Sequence, residues 1–587
     1  MAKSKKYDNY TREELIDELE ALKKKKYGLV WDRKNSQENL DAFVKWENMP
    51  ENFIPRVFPV LKEIRDKEII TDKESSPNLF IEGDNYHSLA VLNFTHKNAI
   101  DVIYIDPPYN TGNKDFIYND SFVDKTDPWR HSKWLSFMEK RLILAKKLLR
   151  SSGVIAISID DNECAQLKLL CDEIYGEGNF IASIPRRTKS AGKTTDTISL
   201  NHDYVLIYAK DYREVKFNAI SIDDKAYKHK DKYYSERGAY ALSQTLDYDS
   251  LSYSAALDYE LELNGYTYYP GGDKKLFLAR RAGKHRASDW AWRWGKELVK
   301  FGDKNGFLVI KKGKDGQPRI YTKTYFKVAI EKDNGHYKIV PIDRAKNLST
   351  LDLIESTYSN DVAKKDIRAI FGASAEFAYP KPISLMRYLI NAVRGKNSTI
   401  LDFFAGSGTT AQAVLELNKE DGGSRQFILC TNNENNIATD ICYPRLKKII
   451  KGYKSTGDIK GLGGNLKYFR NDFVASQPTD KNKRDLVNKS ADMICIKEGV
   501  FSPLVDCGLD YKIFERDGKY LGIVFSEDMI EKFIAEANKL KGRFSVYCFS
   551  YGEFPPEKEF AESMKNQYTI KPIPEVILKI YREIFKK

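Results

Sequence analysis

Asp106-Pro107-Pro108-Tyr109 is the segment of this 587-residue sequence whose residue types have the most definite chemistry. It directly follows an apolar, β-branched run that ends at Ile105. In open α/β sheets the reactive site lies outside the carboxyl ends of the strands. Two prolines stiffen the backbone and remove two N–H donors, which leaves carbonyl oxygens free to accept hydrogen bonds. An amino group on an aromatic ring has two N–H donors. The Asp106 carboxylate and the Pro107 carbonyl can each accept one, which helps the nitrogen lone pair turn from the ring towards an electrophile. Tyr109 can stack on the ring face, worth roughly 1–3 kcal/mol. The plainer alternative is a proline-stiffened turn after a strand.

A second segment, Asp402-Phe403-Phe404-Ala405-Gly406-Ser407-Gly408-Thr409-Thr410, also follows a strand-like run and opens a helical one. Its glycines allow a ligand to approach the backbone closely. Alone, the pair also fits a nucleotide-phosphate turn. It is not a Walker loop, because no Gly-Lys-Ser/Thr follows, and it lacks the third glycine of the dinucleotide fingerprint.

The elements that must position these segments alternate between strand and helix. Strand-like runs occur at Leu79–Ile81, Ala99–Ile105, Gly153–Ile159, Tyr204–Tyr208, Ser398–Phe404 and Gln426–Cys430, with a helical stretch from Ser132 to Arg150. Buried strands separated by helices predict a mostly parallel α/β sheet. From about Arg213 to Lys364 the rhythm breaks into a stretch rich in Tyr, Lys, Gly and Asp. One α/β domain carrying a large insertion is the simplest account. After Gly457–Gly464, strand-like runs at 520–525 and 544–549 flank an amphipathic helix near 528–540, which predicts a small α+β domain. Near the start, Thr11 and Glu14 form a capping box, and Leu15, Leu19 and Leu22 share one helical face to Lys26.

Composition sets the frame. Hydrophobic residues make up 42% of the chain, as in globular proteins, and the net charge of +12 suits a polyanionic partner. Seven scattered cysteines without a C-x-x-C pair point to reduced thiols in a cytoplasm. No run long enough to span a membrane and no secretory signal is expected, and no His/Cys/Asp cluster suggests a metal.

Taken together, Asp106–Tyr109 and Asp402–Thr410 resemble the amino-methyltransferase family. The resemblance implies S-adenosylmethionine as cofactor, held by Asp402, Phe404, Ala405, Gly406, Ser407, Gly408 and Thr409. It implies a catalytic role for Asp106, Pro107, Pro108 and Tyr109 on the N6 of adenine, since cytosine enzymes usually begin this motif with Ser. Asp106 acts there as an acceptor rather than a full general base. Asp84 resembles the family acid near the cofactor's adenine. Glu434, in Thr431–Asn436, sits near where an acid usually holds the ribose, though at an unusual offset. Lys381, in Tyr379-Pro380-Lys381-Pro382, is placed at the cofactor's carboxylate. The alternative for that segment is a proline-rich helix start.

The catalytic motif precedes the cofactor loop, which resembles the β group, a circular permutation of the Rossmann-like methyltransferase sheet. The predicted organisation is an N-terminal helical segment (1–70), a first methyltransferase half (71–215), a target-recognition domain (216–365), a second half (366–475) and a C-terminal α+β domain (476–587). Asn78–Asn85, Asp106–Gly112, Tyr118–Asp120, His202–Lys210, Gly464–Leu466 and Ile570–Glu575 resemble the modification subunit of type III restriction–modification systems. That implies double-stranded DNA as substrate, a homodimer and a helicase–nuclease partner subunit. Candidate DNA contacts are Tyr118, Arg186, Arg187, Lys189, Arg286, Trp292, Arg293 and Lys296. Around Trp290, Trp292 and Trp294 the alternative is an aromatic mini-core beneath a basic face. Two other readings are an orphan adenine methyltransferase and a non-catalytic DNA-binding subunit on the same scaffold.

Overall fold

A computed structural model describes residues 11–16, 31, 57–72, 74–112, 116–118, 121–189, 197–221, 227–313, 316–372, 380–393, 395–455 and 457–585. The main sheet has nine strands: β1 (Val57–Glu63), β2 (Asn78–Glu82), β3 (Ile100–Ile105), β4 (Leu149–Ile159), β5 (Phe180–Arg187), β6 (His202–Ala209), β7 (Thr399–Asp402), β8 (Gln426–Thr431) and β9 (Leu466–Ala475). Their order across the sheet is β1-β9-β2-β8-β7-β3-β4-β6-β5. The six strands from β9 to β4 run parallel, and β6 is antiparallel to both of its neighbours.

Sequence alternation explains why the sheet is covered on both faces. In β3, Ile103 and Ile105 join one buried apolar cluster, while Val102 and Tyr104 join another. β4 does the same with Ile155 and Ile157 against Val154 and Ala156. All six residues of β3 are buried, as expected of a parallel strand under helices on both sides. The helices that matter for the site are α1 (Asn85–Thr95), α2 (Arg130–Leu148), α3 (Cys164–Tyr175), α4 (Ile383–Ala392), α5 (Thr409–Asp421) and α6 (Tyr443–Lys451).

β3 and β7 are hydrogen-bonded neighbours, with Val102 beside Ile400. From β7 the chain continues to β8 on one side, and from β3 to β4 on the other. This is the switch point of an open α/β sheet, where a crevice forms beyond the strand ends. The two motifs, roughly 300 residues apart in sequence, therefore emerge side by side.

The described chain divides into two compact units, Met1–Asn218 with Ser349–Lys587, and Ala219–Leu348. The insertion is thus shorter than the 216–365 read from the sequence. Residues 349–365 pack in the larger unit: Leu353 lies in its core, and the Asn360 N–H donates to the Thr188 carbonyl at 2.9 Å. The smaller unit contains a three-stranded sheet of Tyr240–Thr245, Pro318–Tyr325 and Leu308–Lys312, and it carries its own small cores.

Residue 476 is likewise no break in packing. The C-terminal five-stranded sheet (Ser502–Asp506, Tyr511–Arg516, Lys519–Val524, Arg543–Phe549, Gln567–Ile573) shares a core with the main body, in which Leu521, Tyr547, Ile577 and Tyr581 join Val60 and Phe94. At the N-terminus the Thr11–Glu14 capping box forms, with the Thr11 N–H 2.7 Å from Glu14 Oε2 and the Glu14 N–H 3.2 Å from Thr11 Oγ1. Leu19 and Leu22 lie outside the described residues.

Candidate active site

The segment after β3 is held by several separate parts of the chain. The Trp134 indole, on α2, donates to the Pro108 carbonyl at 2.7 Å. The Tyr109 hydroxyl donates to Asp203 Oδ2, on β6, at 3.3 Å. Burial pushes the Tyr109 phenol well above its ordinary pKa, and the nearby Asp106 and Asp203 charges add to the effect, so the hydroxyl keeps its proton. Asp203 in turn forms a two-pronged pair with Arg186, whose Nε lies 2.8 Å from Asp203 Oδ1. Asn110, in the left-handed region at φ 57°, donates through its side chain to Glu163 Oε1 at 2.5 Å and to the Arg130 carbonyl at 3.2 Å.

This arrangement divides the motif. Pro108, a catalytic candidate from the sequence, has its carbonyl bonded to Trp134, which pins the loop at that residue. Asp106 and the Pro107 carbonyl are the acceptor pair expected from the sequence. Lys381, expected at the cofactor's carboxylate, instead donates to both Asp106 oxygens at 2.6 Å. Its ammonium also sits 5.0 Å from the centre of the Tyr109 ring. A compact cation thus occupies the acceptor–ring corner where an amino group would be held.

The loop after β7 is held from beneath. Gly406 and Gly408 have φ of 52° and 77°, left-handed values that glycine adopts without strain. A Cβ at Gly408 would stand 3.0 Å from Cys442 Sγ. Arg445, on α6, is fully buried and donates to the Ser407 carbonyl (3.3 Å), Ser407 Oγ (3.1 Å), Thr409 Oγ1 (2.9 Å) and Gln412 Oε1. Burial lowers its guanidinium to about 10. The side chains of Ser407 and Thr409, residues expected on the cofactor, are therefore engaged under the loop, and the N–H groups of Phe404, Ala405 and Gly408 are taken by Asp402, the Cys430 carbonyl and the Ala405 carbonyl, which leaves those of Gly406 and Ser407 for a ligand. Asp402 is buried too. It accepts from Thr410 Oγ1 at 2.6 Å and from the Phe404 N–H at 3.1 Å. Burial raises its carboxyl to about 7, with the Asp106 charge adding to the shift. It ties the loop together from within.

Behind this loop, Asn85 Nδ2 donates to the Phe403 carbonyl at 3.0 Å, and Arg141 Nε donates to Asn85 Oδ1 at 2.5 Å. Arg141 also reaches Asp84 Oδ2 at 3.2 Å. Asp84 caps α1, accepting from the Tyr86 N–H at 2.8 Å. Glu434 is exposed just beyond β8. Along the carboxyl edge of the sheet the order is therefore Asp84 after β2, Glu434 after β8, Phe404–Gly408 after β7 and Asp106 after β3.

Two candidate DNA contacts are overturned. Arg186 is fully buried and belongs to the Asp203 pair, and it also donates to the Tyr358 carbonyl at 2.8 Å. Trp292 is buried in the core of the insertion, its indole donating to the Tyr259 carbonyl at 2.7 Å. The mini-core alternative thus holds for Trp292. Arg187 and Lys189 are half-buried at the end of β5, while Arg286, Arg293 and Lys296 are exposed. Arg293 stacks 4.3 Å over Tyr248, and Lys296 stands 5.3 Å from the Tyr259 ring centre. Tyr118 lies in a short strand, Ile117–Tyr118.

Sequence reasoning missed Trp134, Asp203, Glu163, Asn110 and Arg445. Each acts through a partner distant in sequence or turned inward. Among the described residues no helix is long and apolar enough to cross a membrane.

Residues 100–441 match the model of a family described as DNA methylase, and this span contains both loops. The chain is 33% identical over 412 residues to the type III restriction-modification enzyme StyLTI Mod subunit of Salmonella typhimurium, covering 65% of this chain and 57% of that protein. It is 30% identical over 474 residues to the EcoPI Mod subunit of Escherichia phage P1, covering 72% and 67%. The type II methyltransferase M.KpnI of Klebsiella pneumoniae is 33% identical over 411 residues, covering 66% of this chain and 86% of that protein. The chain therefore spans less than two thirds of the length of the Salmonella relative.

Proposed function

This chain belongs to the DNA methylase family, and on that premise we propose that it transfers a methyl group from S-adenosylmethionine to the exocyclic N6 of an adenine flipped out of double-stranded DNA. One observation carries the reading. Two parallel strands adjacent at the switch point deliver an Asp-Pro-Pro-Tyr acceptor loop and a glycine loop to one crevice.

The residues along the sheet edge suit the cofactor. Carboxylates at Asp84 and Glu434 can accept from its adenosine hydroxyls and amino group. The Gly406 and Ser407 N–H groups can donate to it, and Lys381 is a cation suited to its carboxylate. The group, when bound, supplies an electrophilic methyl on a sulfonium. What the chain does is hold the attacking nitrogen. Asp106 and the Pro107 carbonyl each accept one amino proton, Tyr109 stacks on the base, and Trp134 keeps the Pro108 carbonyl from swinging into the same space. Orientation of this kind is worth several kcal/mol of barrier. Because the Lys381 ammonium and an incoming amino group compete for Asp106, base entry must draw Lys381 away, which frees it for the cofactor's carboxylate.

Similarity to the Mod subunits supports a modification subunit that works as a homodimer with a helicase–nuclease partner. The exposed Arg286, Arg293 and Lys296 supply phosphate contacts from the insertion.

Incubation with tritiated S-adenosylmethionine and unmethylated bacterial DNA, with mass spectrometry of the modified base, tests the reading. N6-methyladenine is the expected product. Label in cytosine would overturn the adenine assignment, and absence of label despite DNA binding would bring the non-catalytic reading forward.

A further inference from the structure

A second cluster of polar side chains lies directly behind the Asp106–Tyr109 loop and takes no part in holding the cofactor or the base. Glu163, at the start of α3, has a side chain with no solvent exposure. Its Oε1 is approached by Asn110 Nδ2 at 2.5 Å and by His131 Nδ1 at 2.7 Å. Its Oε2 is buried and, among the described residues, has no hydrogen-bond partner. The same is true of Asn110 Oδ1, the other half of the amide that meets Glu163. The two orphaned oxygens belong to side chains already joined through Asn110 Nδ2 and Glu163 Oε1, and a proton on Oε2 would give both of them a partner. Buried polar atoms left unpaired are costly, and an ionised carboxylate more so.

We propose that Glu163 works as a neutral carboxylic acid, its Oε2–H donating to Asn110 Oδ1 while Asn110 Nδ2 donates to Oε1, and that this cyclic pair fixes the backbone after Tyr109 for methyl transfer. The inference rests on the methyltransferase reading for its kinetic consequence alone. Glu163 is a positioning residue, acting on the loop through Asn110, whose left-handed backbone directly follows the stacking tyrosine.

The surroundings fit a neutral acid. Burial pushes the Glu163 carboxyl up to about 8, opposed by the Asn110 hydrogen bond and by Arg130, and reinforced by Asp160. His131 is held below its ordinary pKa, by burial first and then by Arg130, so it faces Glu163 as neutral imidazole with Gln166 on its flank. Arg130, whose Nη1 donates to the Asn110 carbonyl at 3.4 Å, is the remaining cation of the cluster. For a carboxyl raised in the folded state, the added stability is complete below its ordinary pKa and is lost as pH rises through the folded value.

Glu163→Gln separates this arrangement from a merely structural one, because glutamine reproduces the acid–amide pattern and cannot ionise. Melting temperature is measured from pH 5 to 9 for the wild type, Glu163→Gln and Glu163→Ala, beside kcat for methyl transfer to DNA. The melting temperature of the wild type should fall relative to Glu163→Gln across roughly pH 5 to 8 and then run parallel to it. The wild-type kcat should drop above about pH 8, and Glu163→Gln should lack that drop while restoring kcat to within about threefold of wild type at pH 7. Glu163→Ala should lose about tenfold or more in kcat with little change in KM for the cofactor. A Glu163→Gln melting temperature that tracks wild type at a constant offset across the whole range would overturn the proposal, as would a tenfold loss of kcat in Glu163→Gln with the alkaline drop intact. A wild type that transfers no methyl group, yet shows the diverging melting temperatures, would sink the methyltransferase reading and support the acid–amide pair.

Discussion

The two loops at the switch point are built on opposite plans. In the Asp106–Tyr109 loop, prolines freeze the backbone, the Pro108 carbonyl and the Tyr109 hydroxyl are tied down from behind, and Asp106 meets Lys381. Support comes from behind, through Trp134, Asp203 and Asn110. In the Asp402–Thr410 loop, glycines open the backbone, and the side chains of Asp402, Ser407, Thr409 and Thr410 are turned inward onto one another and onto Arg445. In the proposed function the first loop presents acceptors at fixed points, whereas the second presents backbone rather than side chains. The same sheet edge serves both because each loop borrows its rigidity from a different neighbour.

That contrast can be broken by substitution. Asp106→Ala removes the acceptor itself and should lower kcat by about 10³-fold, some 4 kcal/mol of barrier, while the cofactor dissociation constant stays within a few-fold. A large loss of cofactor binding would blur the division between the loops. Arg186→Met strands Asp203 as a buried, unpaired charge. Urea unfolding should show a loss of about 3–5 kcal/mol, larger than for any surface arginine. Arg445→Met deprives Ser407, Thr409 and Gln412 of their donor. Stability should fall by about 2–3 kcal/mol and cofactor affinity by about tenfold, with kcat at saturating cofactor changed much less. If instead kcat carried the whole loss in isothermal and steady-state measurements, the two-plan account would fail. The smallest effect belongs to Tyr109→Phe, which keeps the ring and loses only the hydroxyl bond to Asp203. It should cost about 1 kcal/mol, read as a several-fold lower kcat with stacking intact.

How much of this was legible in the sequence follows from distance along the chain. Asp106–Tyr109 and Asp402–Thr410 are contiguous, and their positions after apolar runs announce where they sit. The parallel sheet was legible because its strands are short, apolar and separated by helices. Trp134, Asp203 and Arg445 were not, since a tryptophan or an arginine on a helix gives no sign of which carbonyl or carboxylate lies opposite. Arg186 and Trp292 were misread for the converse reason. Basic and aromatic residue types suit nucleic acid, yet here one neutralises a buried carboxylate and the other fills a core. Lys381 was found by its motif, but its partner, Asp106, comes from a strand 275 residues away. The domain limits at 365 and 476 missed because they followed changes in composition, whereas Leu353 and Tyr581 pack into the main body.

The strand order has a consequence for how the molecule is made. β2 lies between β8 and β9, and β3 lies beside β7, so three of their flanking partners are the last strands of the sheet to leave the ribosome. At synthesis rates of roughly 5–20 residues per second, the unpaired edges of the largely apolar β2 and β3 wait some tens of seconds for them. A nascent chain ending near residue 215 would thus present open, aggregation-prone strand edges, and chaperone dependence during translation should exceed that of a methyltransferase whose cofactor half is made first.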